Sequence, residues 1–471
     1  NLQKKEHYVM EKSTTKTSFF TKDRGFYKTL FSMMIVVALQ NLVAYSVNMA
    51  DNIMLGGYNQ AALSGAATVN QIFFMVQQVA LAIGNSLVVL ASQYWGEQRV
   101  QPIRTLTGIA LKLGLICSII IIALCLFIPR PILMLFTTDP QIIEEGLGYL
   151  SLIQWTFILF IITNILMAAL RSVGTVKISF YTSVVSLIVN VAINYTLIFG
   201  HFGFPEMGVK GAAIGTFVAR IIEFVIVLVY MIKIDKKLCL FSGGLFHISP
   251  QLRKDYTKVT VPVMLSQVLW GVSVPMQTAI LGHLSADAIA ANSVATTFYQ
   301  YLKVIVIAMS STCSVMIGNA IGRGKMERIK SDGRTLSVIT VIIGLILGII
   351  LFLLRYPLLS FYNLSEEATR LAINLISIMS VVMVGMSYQM PVSYGIIQGG
   401  GDAKFNMAMN MISTWAIVMP LSFMAAFWWK LPVELVVLCI QSDQIFKGLP
   451  TFIRFRSYKW IKKLTNTENN A

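Results

Sequence analysis

Charge is scarce in this chain. Asp, Glu, Lys and Arg together supply 12% of 471 residues, where soluble domains carry roughly 25%. A surface wetted on every side is not built from that supply, so a soluble globular protein is excluded. Cysteine and histidine are also few. The five Cys (Cys117, Cys125, Cys239, Cys313, Cys439) fall mostly inside apolar runs, with no CxxC pair and no secreted-domain spacing. They read as small apolar fillers. The four His (His7, His201, His247, His283) lie in the amino-terminal tail or in loops, and neither HExxH nor GxxxxGK[ST] occurs. Metal or ATP chemistry is not indicated, no cofactor is expected, and the chain does not read as an enzyme.

What is abundant is apolar surface, at 56% of residues. Runs of about 20 apolar residues recur, each able to cross a hydrocarbon core of roughly 30 Å as a helix. Twelve spans are expected, near 29–56, 61–93, 104–128, 142–170, 178–200, 209–232, 257–282, 286–321, 335–354, 366–397, 405–428 and 432–453. The fold class is therefore all-α integral membrane. A β-barrel would show short alternating strands instead. Turn residues mark span ends at Gly56-Gly57, Pro129-Arg130-Pro131, Gly200 to Pro205 and Gly399 to Asp402. Residues 1–28 read as a disordered basic tail with no cleavable signal pattern, so the first apolar run is expected to be retained.

The formal charge of +16 would suit nucleic acid only if it were clustered on a soluble domain. Sorted by loop with the amino terminus inside, 29 of the 37 Lys and Arg fall on the inner side and five outside (Arg130, Lys210, Arg355, Arg370, Lys430). The excess is thus topological: both termini are expected in the cytoplasm, the chain in the plasma membrane, and nucleic acid is not a partner. Lys112, Arg220 and Lys303 remain within spans, Lys112 close enough to an inner end to snorkel.

Sliding the chain by 226 residues pairs Gly56 with Gly282, Ala62 with Ala288, Leu63 with Ile289, Gly96 with Gly322 and Pro131 with Pro357. One more residue of offset pairs Gly174 with Gly401 and Lys177 with Lys404. Two six-helix bundles, 29–232 and 257–455, are therefore expected, joined by a cytoplasmic linker at 233–256 and followed by a tail at 456–471. Because six is even, the copies enter the membrane in the same direction, related by a pseudo-two-fold axis along its normal. That plan belongs to alternating-access transporters, with substrate held between the bundles.

The repeat also shows what the halves do not share. Asp51 maps onto Gln277, Asn190 onto Ile417 and Asn194 onto Leu421. The polar set belongs to the amino-terminal half alone, with Thr216 at similar depth. An intramembrane acid is a functional residue by default. Asp51 with amide and hydroxyl oxygens is a hard-oxygen set that could hold Na⁺, and taken out of water it could carry a proton instead. The alternative is structural: Asp51 could tie helices together, and Asn190 and Asn194, four apart on one helix face, could act as interhelical glue. Arg220 and Glu223 are spaced to neutralise each other. Lys303 could face a central cavity, snorkel, or meet a hidden acid. Gln277, Lys303, Gln267 and Tyr299 are the candidate cavity residues.

The chain resembles the multidrug and toxic compound extrusion (MATE) family over nearly its whole length after the tail. The likeness rests on Met49 to Gly56, on Ala91-Ser92-Gln93-Tyr94-Trp95-Gly96, on Asn190 to Gly200, and on Gly208 to Thr216. The resemblance implies cation-coupled efflux of amphipathic, often cationic compounds, driven by H⁺ or Na⁺ entry, with two lobes rocking between outward-open and inward-open forms. It also implies a cation site at Asp51, Asn190, Asn194 and Thr216. The chain departs from the pattern at Asn194, where such sites carry Asp, which weakens the case for tight Na⁺ binding. It departs again at Trp270 and Ser387, where another branch carries an acidic pair.

The expectation is a monomeric secondary antiporter, with small-molecule substrates, the bilayer as its surroundings and Asp51 as the coupling carboxylate. The nearest rival is a flippase of lipid-linked saccharides built on the same paired-bundle plan. It would favour a strongly cationic cavity.

Overall fold

A computed structural model describes residues 20–245, 247, 249–282, 286–324, 326–360 and 365–465. Most of the expected basic tail, with His7, lies outside the described residues, as do His283 and residues 466–471. The described chain is helical, with no strand among its described residues. The amino-terminal lobe (N-lobe) holds α1 (Arg24–Tyr58), α2 (Gln60–Gly96), α3 (Val100–Phe127), α4 (Pro140–Ile153 and Thr156–Ser172), α5 (Lys177–Ile198) and α6 (Gly208–Val229). The carboxy-terminal lobe (C-lobe) holds α7 (Pro250–Gly282), α8 (Ala286–Gly322), α9 (Met326–Leu359), α10 (Glu366–Met390, continued by a π-helical stretch over Pro391–Ile397), α11 (Ala403–Trp428, partly π-helical) and α12 (Val433–Gln441 and Asp443–Arg456).

Local chemistry sets these bounds. Asp23 caps α1 by accepting from the Gly25 N–H at 2.8 Å, and Asn59 both ends α1 and caps α2 through the Ala61 N–H at 2.7 Å. Asp139 caps α4 ahead of Pro140, which suits a first helical position. Gly174 and Gly401, paired by the repeat, end α4 and α10 at φ of +75° and +101°, a left-handed turn that favours glycine.

Among the described residues ten helices are long and apolar enough to cross a membrane, and α4, expected as one run, makes an eleventh as a pair bent by 52°. The twelfth expected span is two short helices meeting at Ser442, with Asp443 and Lys447 inside the second. The repeat holds to the residue: α2 and α8 start at 60 and 286 and end at 96 and 322. Gly96 packs on the Asn319 carbonyl and Gly322, and Gly322 packs on the Gln93 carbonyl and Gly96, an arrangement symmetric about an axis between them. A side chain on either glycine would run into the other helix.

The lobes are closed on the face that carries both described ends of the chain. There Phe26, Leu30, Met33, Met34 and Val37 of α1 join Ala308, Met309, Val392 and Ile396 of α8 and α10 in one apolar cluster. Towards the opposite face α2 and α8 are buried on one side only, with Ala67, Gln71, Ser293 and Gln300 exposed. The linker is not a free loop. Leu238, Leu240 and Leu245 are buried, Arg104 Nε donates to the Leu238 carbonyl at 2.7 Å, and Thr105 Oγ1 donates to the Gly244 carbonyl at 3.1 Å.

Candidate functional site: a buried acid and its amide partners

Asp51 lies about two turns from the end of α1, 8% exposed. Asn194 Nδ2 donates to its Oδ1 at 2.5 Å and to Asn190 Oδ1 at 3.4 Å, and Asn190 Nδ2 donates to Thr216 Oγ1 at 3.2 Å. The four residues singled out in the sequence thus form one chain of hydrogen bonds across α1, α5 and α6. Both Asn side chains are fully buried. Asn194 Oδ1 is buried with no hydrogen-bond partner. Orphaned buried acceptors are rare, and this one belongs to the carboxamide whose N–H₂ end meets Asp51, its oxygen turned away from the acid towards Gly215. A site with a single carboxylate offers Na⁺ less charge than one with two, and among the described residues no cluster of three His, Cys, Asp or Glu side chains could hold a metal.

Glycine makes the arrangement possible. A Cβ at Gly211 would press on the Leu197 backbone, and one at Gly215 would occupy the space of the Asn194 carboxamide. Small residues four apart let α5 and α6 approach closely, as membrane helices commonly do. Two neighbours escape a sequence reading. Gly215 carries no polar atom, and Tyr149 on α4, buried and close enough to interact with Thr216 and Asp51, is hidden among the many packing aromatics.

Arg220 and Glu223 form the expected ion pair, at 2.6 Å. The guanidinium also lies over Phe160 and Phe73, 4.9 and 5.8 Å from the ring centroids, and is near enough to act on Asp51.

The C-lobe holds a second charged set that the sequence did not disclose. Lys447, counted there with the inner-side charges, is instead 3% exposed inside α12 and meets Asp443 Oδ2 at 2.6 Å. Asp443 Oδ1 accepts from Ser413 Oγ at 2.6 Å, and Lys303 lies close enough to feel both charges. One turn of helix separates Asp443 from Lys447, so each brings the other's partner into the bundle. Buried polar residues are therefore not confined to the N-lobe.

Of the other cavity candidates, Tyr299 departs from expectation. It is 6% exposed in the C-lobe core, its hydroxyl on Met386 Sδ at 3.0 Å, because its side of α8 faces α10 and not the other lobe. Gln267 and Gln277 are half-buried on α7, and neither joins the Asp51 network among the described residues. Trp270 is half-buried and Ser387 is buried with its hydroxyl unpartnered.

Known proteins place this architecture. The family model for MatE matches residues 37–196 and 262–424, one segment in each half of the repeat. A probable multidrug resistance protein NorM of Thermotoga maritima is 24% identical over 444 residues, covering 94% of this chain and 95% of its own. A probable multidrug resistance protein YoeA of Bacillus subtilis is 21% identical, covering 85% and 88%. Among solved structures, the Vibrio cholerae MATE transporter VcmN in its bent form superposes with a TM-score of 0.81 at 17% identity, covering 92% of this chain and 97% of its own. The eukaryotic MATE transporter AtDTX14 superposes at 0.82 and 17%, covering 93% and 97%. With its paired six-helix lobes and both halves matched by one family model, this chain belongs to the MatE family of multi-pass membrane transporters.

Proposed function

We propose that the protein exports amphipathic small molecules by cation-coupled antiport, with Asp51 as the coupling carboxylate and H⁺ or Na⁺ as the driving ion. The observation that carries this is the hydrogen-bonded run Thr216–Asn190–Asn194–Asp51, with an unpartnered oxygen on the amide that bonds the acid. Relatives named for multidrug resistance support small-molecule efflux as the task, and they lend nothing to a flippase of lipid-linked saccharides. The positive charge around the closed face supports a cytoplasmic position for that face and for both termini, in the plasma membrane. The structure then corresponds to a state open to the outside, with the protein working as a monomer.

In that state an incoming ion reaches Asp51. When Asp51 is ionised, Asn194 donates an N–H to it. When a proton or cation arrives, the Asn194 carboxamide can turn its unpartnered oxygen towards the newcomer, which breaks the present bond and frees α1 to shift. Coupling requires that ion and substrate prefer different states, since equal affinity for both moves no equilibrium. The test is drug tolerance of a pump-deficient bacterial strain. Wild-type protein raises tolerance to amphipathic dyes, and Asp51→Asn at equal membrane abundance does not. Equal protection by the variant removes Asp51 from the mechanism.

A further inference from the structure

The charges of the two buried sets do not balance in the same sense. The N-lobe set holds two carboxylates, Asp51 and Glu223, with one guanidinium, Arg220. The C-lobe set holds two ammonium groups, Lys303 and Lys447, with one carboxylate, Asp443, already engaged by Lys447 and Ser413. Lys303 makes no ion pair among the described residues. Its Nζ lies 5.4 Å from the centre of the Trp270 ring.

This corner faces the other lobe. The Trp270 ring centre is 6.0 Å from that of Phe74 on α2, and Tyr301, two residues before Lys303, donates to Met49 Sδ on α1 at 2.9 Å. Lys303, Trp270 and Phe74 are all half-buried, at a corner where the Trp270–Phe74 contact joins the two lobes. An unmatched ammonium at membrane depth is costly unless an anion or water meets it. An aromatic face beside it favours a flat ring in the same place.

We propose that Lys303 and Trp270 form a substrate subsite for a single anionic group attached to an aromatic body. The carboxylate of the exported compound meets Lys303, while its ring lies against Trp270 and Phe74. The preferred substrates are then zwitterionic aromatic amphiphiles, matched to the surplus negative charge around Asp51 and the surplus positive charge around Lys303. This rests on the export reading above. A free inorganic anion such as chloride has the same charge and could take the same place, so the experiment separates the two sources.

The purified full chain in detergent is titrated into rhodamine 110, a free acid, and rhodamine 123, its methyl ester, with anisotropy as the readout and gluconate or chloride as the salt. Efflux of both dyes from proteoliposomes follows. The acid is expected to bind about tenfold tighter than the ester, the scale of one hydrogen bond to a charged group. That ratio falls towards one in Lys303→Gln and is kept in Lys303→Arg. Trp270→Leu weakens both dyes and keeps the ratio, so the ratio is read apart from any general loss of folding. No preference in wild type, or the same preference in Lys303→Gln, overturns the proposal. So does a preference seen in gluconate and abolished by chloride, which assigns Lys303 to the inorganic ion. If the acid is preferred but neither dye crosses under any gradient, the subsite stands and export fails. If both cross without preference, export stands and the subsite fails.

Discussion

At the residue scale, a carboxylate within a lipid-embedded bundle persists only if something answers its charge. Around Asp51 the answer is one amide N–H at 2.5 Å and an arginine already shared with Glu223. That partial match leaves room for an ion. Asn194→Asp adds a second carboxylate beside the first and is expected to tighten Na⁺ binding, seen as Na⁺-dependent stabilisation in a thermal melt larger than in wild type. Gly215→Ala places a methyl group where the Asn194 carboxamide lies, and overpacking of this kind costs about 1–3 kcal/mol. A lowered melting temperature together with lost transport is the expected result, and an unchanged melt would show that α6 can shift away. The acid, both Asn and Thr216 were legible because polar residues stand out in apolar runs. Tyr149 and Tyr299 were not, since a tyrosine's role depends on which way its helix face points, and periodicity alone does not fix that in a helix apolar all round.

At the scale of elements, the segment after α12 works as a strap across the closed face. Trp460 is fully buried against Gly400, and Asp402 takes both Arg454 and Lys462, which fixes the strap to the C-lobe. Its end crosses to the N-lobe. The Leu464 N–H donates to Gln93 Oε1 at 2.8 Å, Lys463 pairs with Glu97 at 2.9 Å, and Thr465 Oγ1 donates to Glu97 Oε1 at 2.5 Å. Opening this face must break those bonds, so Glu97→Gln is expected to raise the population open on it, measured by the labelling rate of a cysteine introduced as Asn319→Cys. A rate equal to that of the parent would mean the strap follows the N-lobe. Burial pushes the Glu97 carboxyl up, but Thr465, Lys463 and Arg99 outweigh it and hold it below the ordinary 4.5. The contact is therefore complete above that pH and is lost only as pH falls through the lowered value, so labelling should be insensitive to pH between about 6 and 8. The strap was hidden in the sequence because a polar, basic tail after the last span reads as a topological signal. Lys447 was hidden for the same reason: near a predicted span end, a buried lysine and a loop lysine look alike.

At the scale of the whole molecule, the repeat was the most legible feature. An offset of 226 residues returned both the fold and the axis, since Gly96 and Gly322 are required wherever two copies of one helix cross at close range. What the offset could not return is how the copies differ: the bend in α4, the break at Ser442 and the charged C-lobe set arise where the sequences have diverged. Ser92 and Gly318 touch across the same crossing. Gly318→Ala would set a methyl carbon 2.8 Å from Ser92 Cβ, so it is expected to force this crossing apart, seen as a lowered melting temperature. An unchanged melt would mean that the crossing yields without cost.

The most direct test of Asp51 as the coupling carboxylate is dye efflux from proteoliposomes containing wild type or Asp51→Asn, under a pH gradient, a Na⁺ gradient and neither. Both proteins must first show matched insertion. Export by wild type under one gradient, which names the coupling ion, and none by the variant under any, is the expected result. Export by Asp51→Asn as fast as wild type would remove Asp51 from coupling.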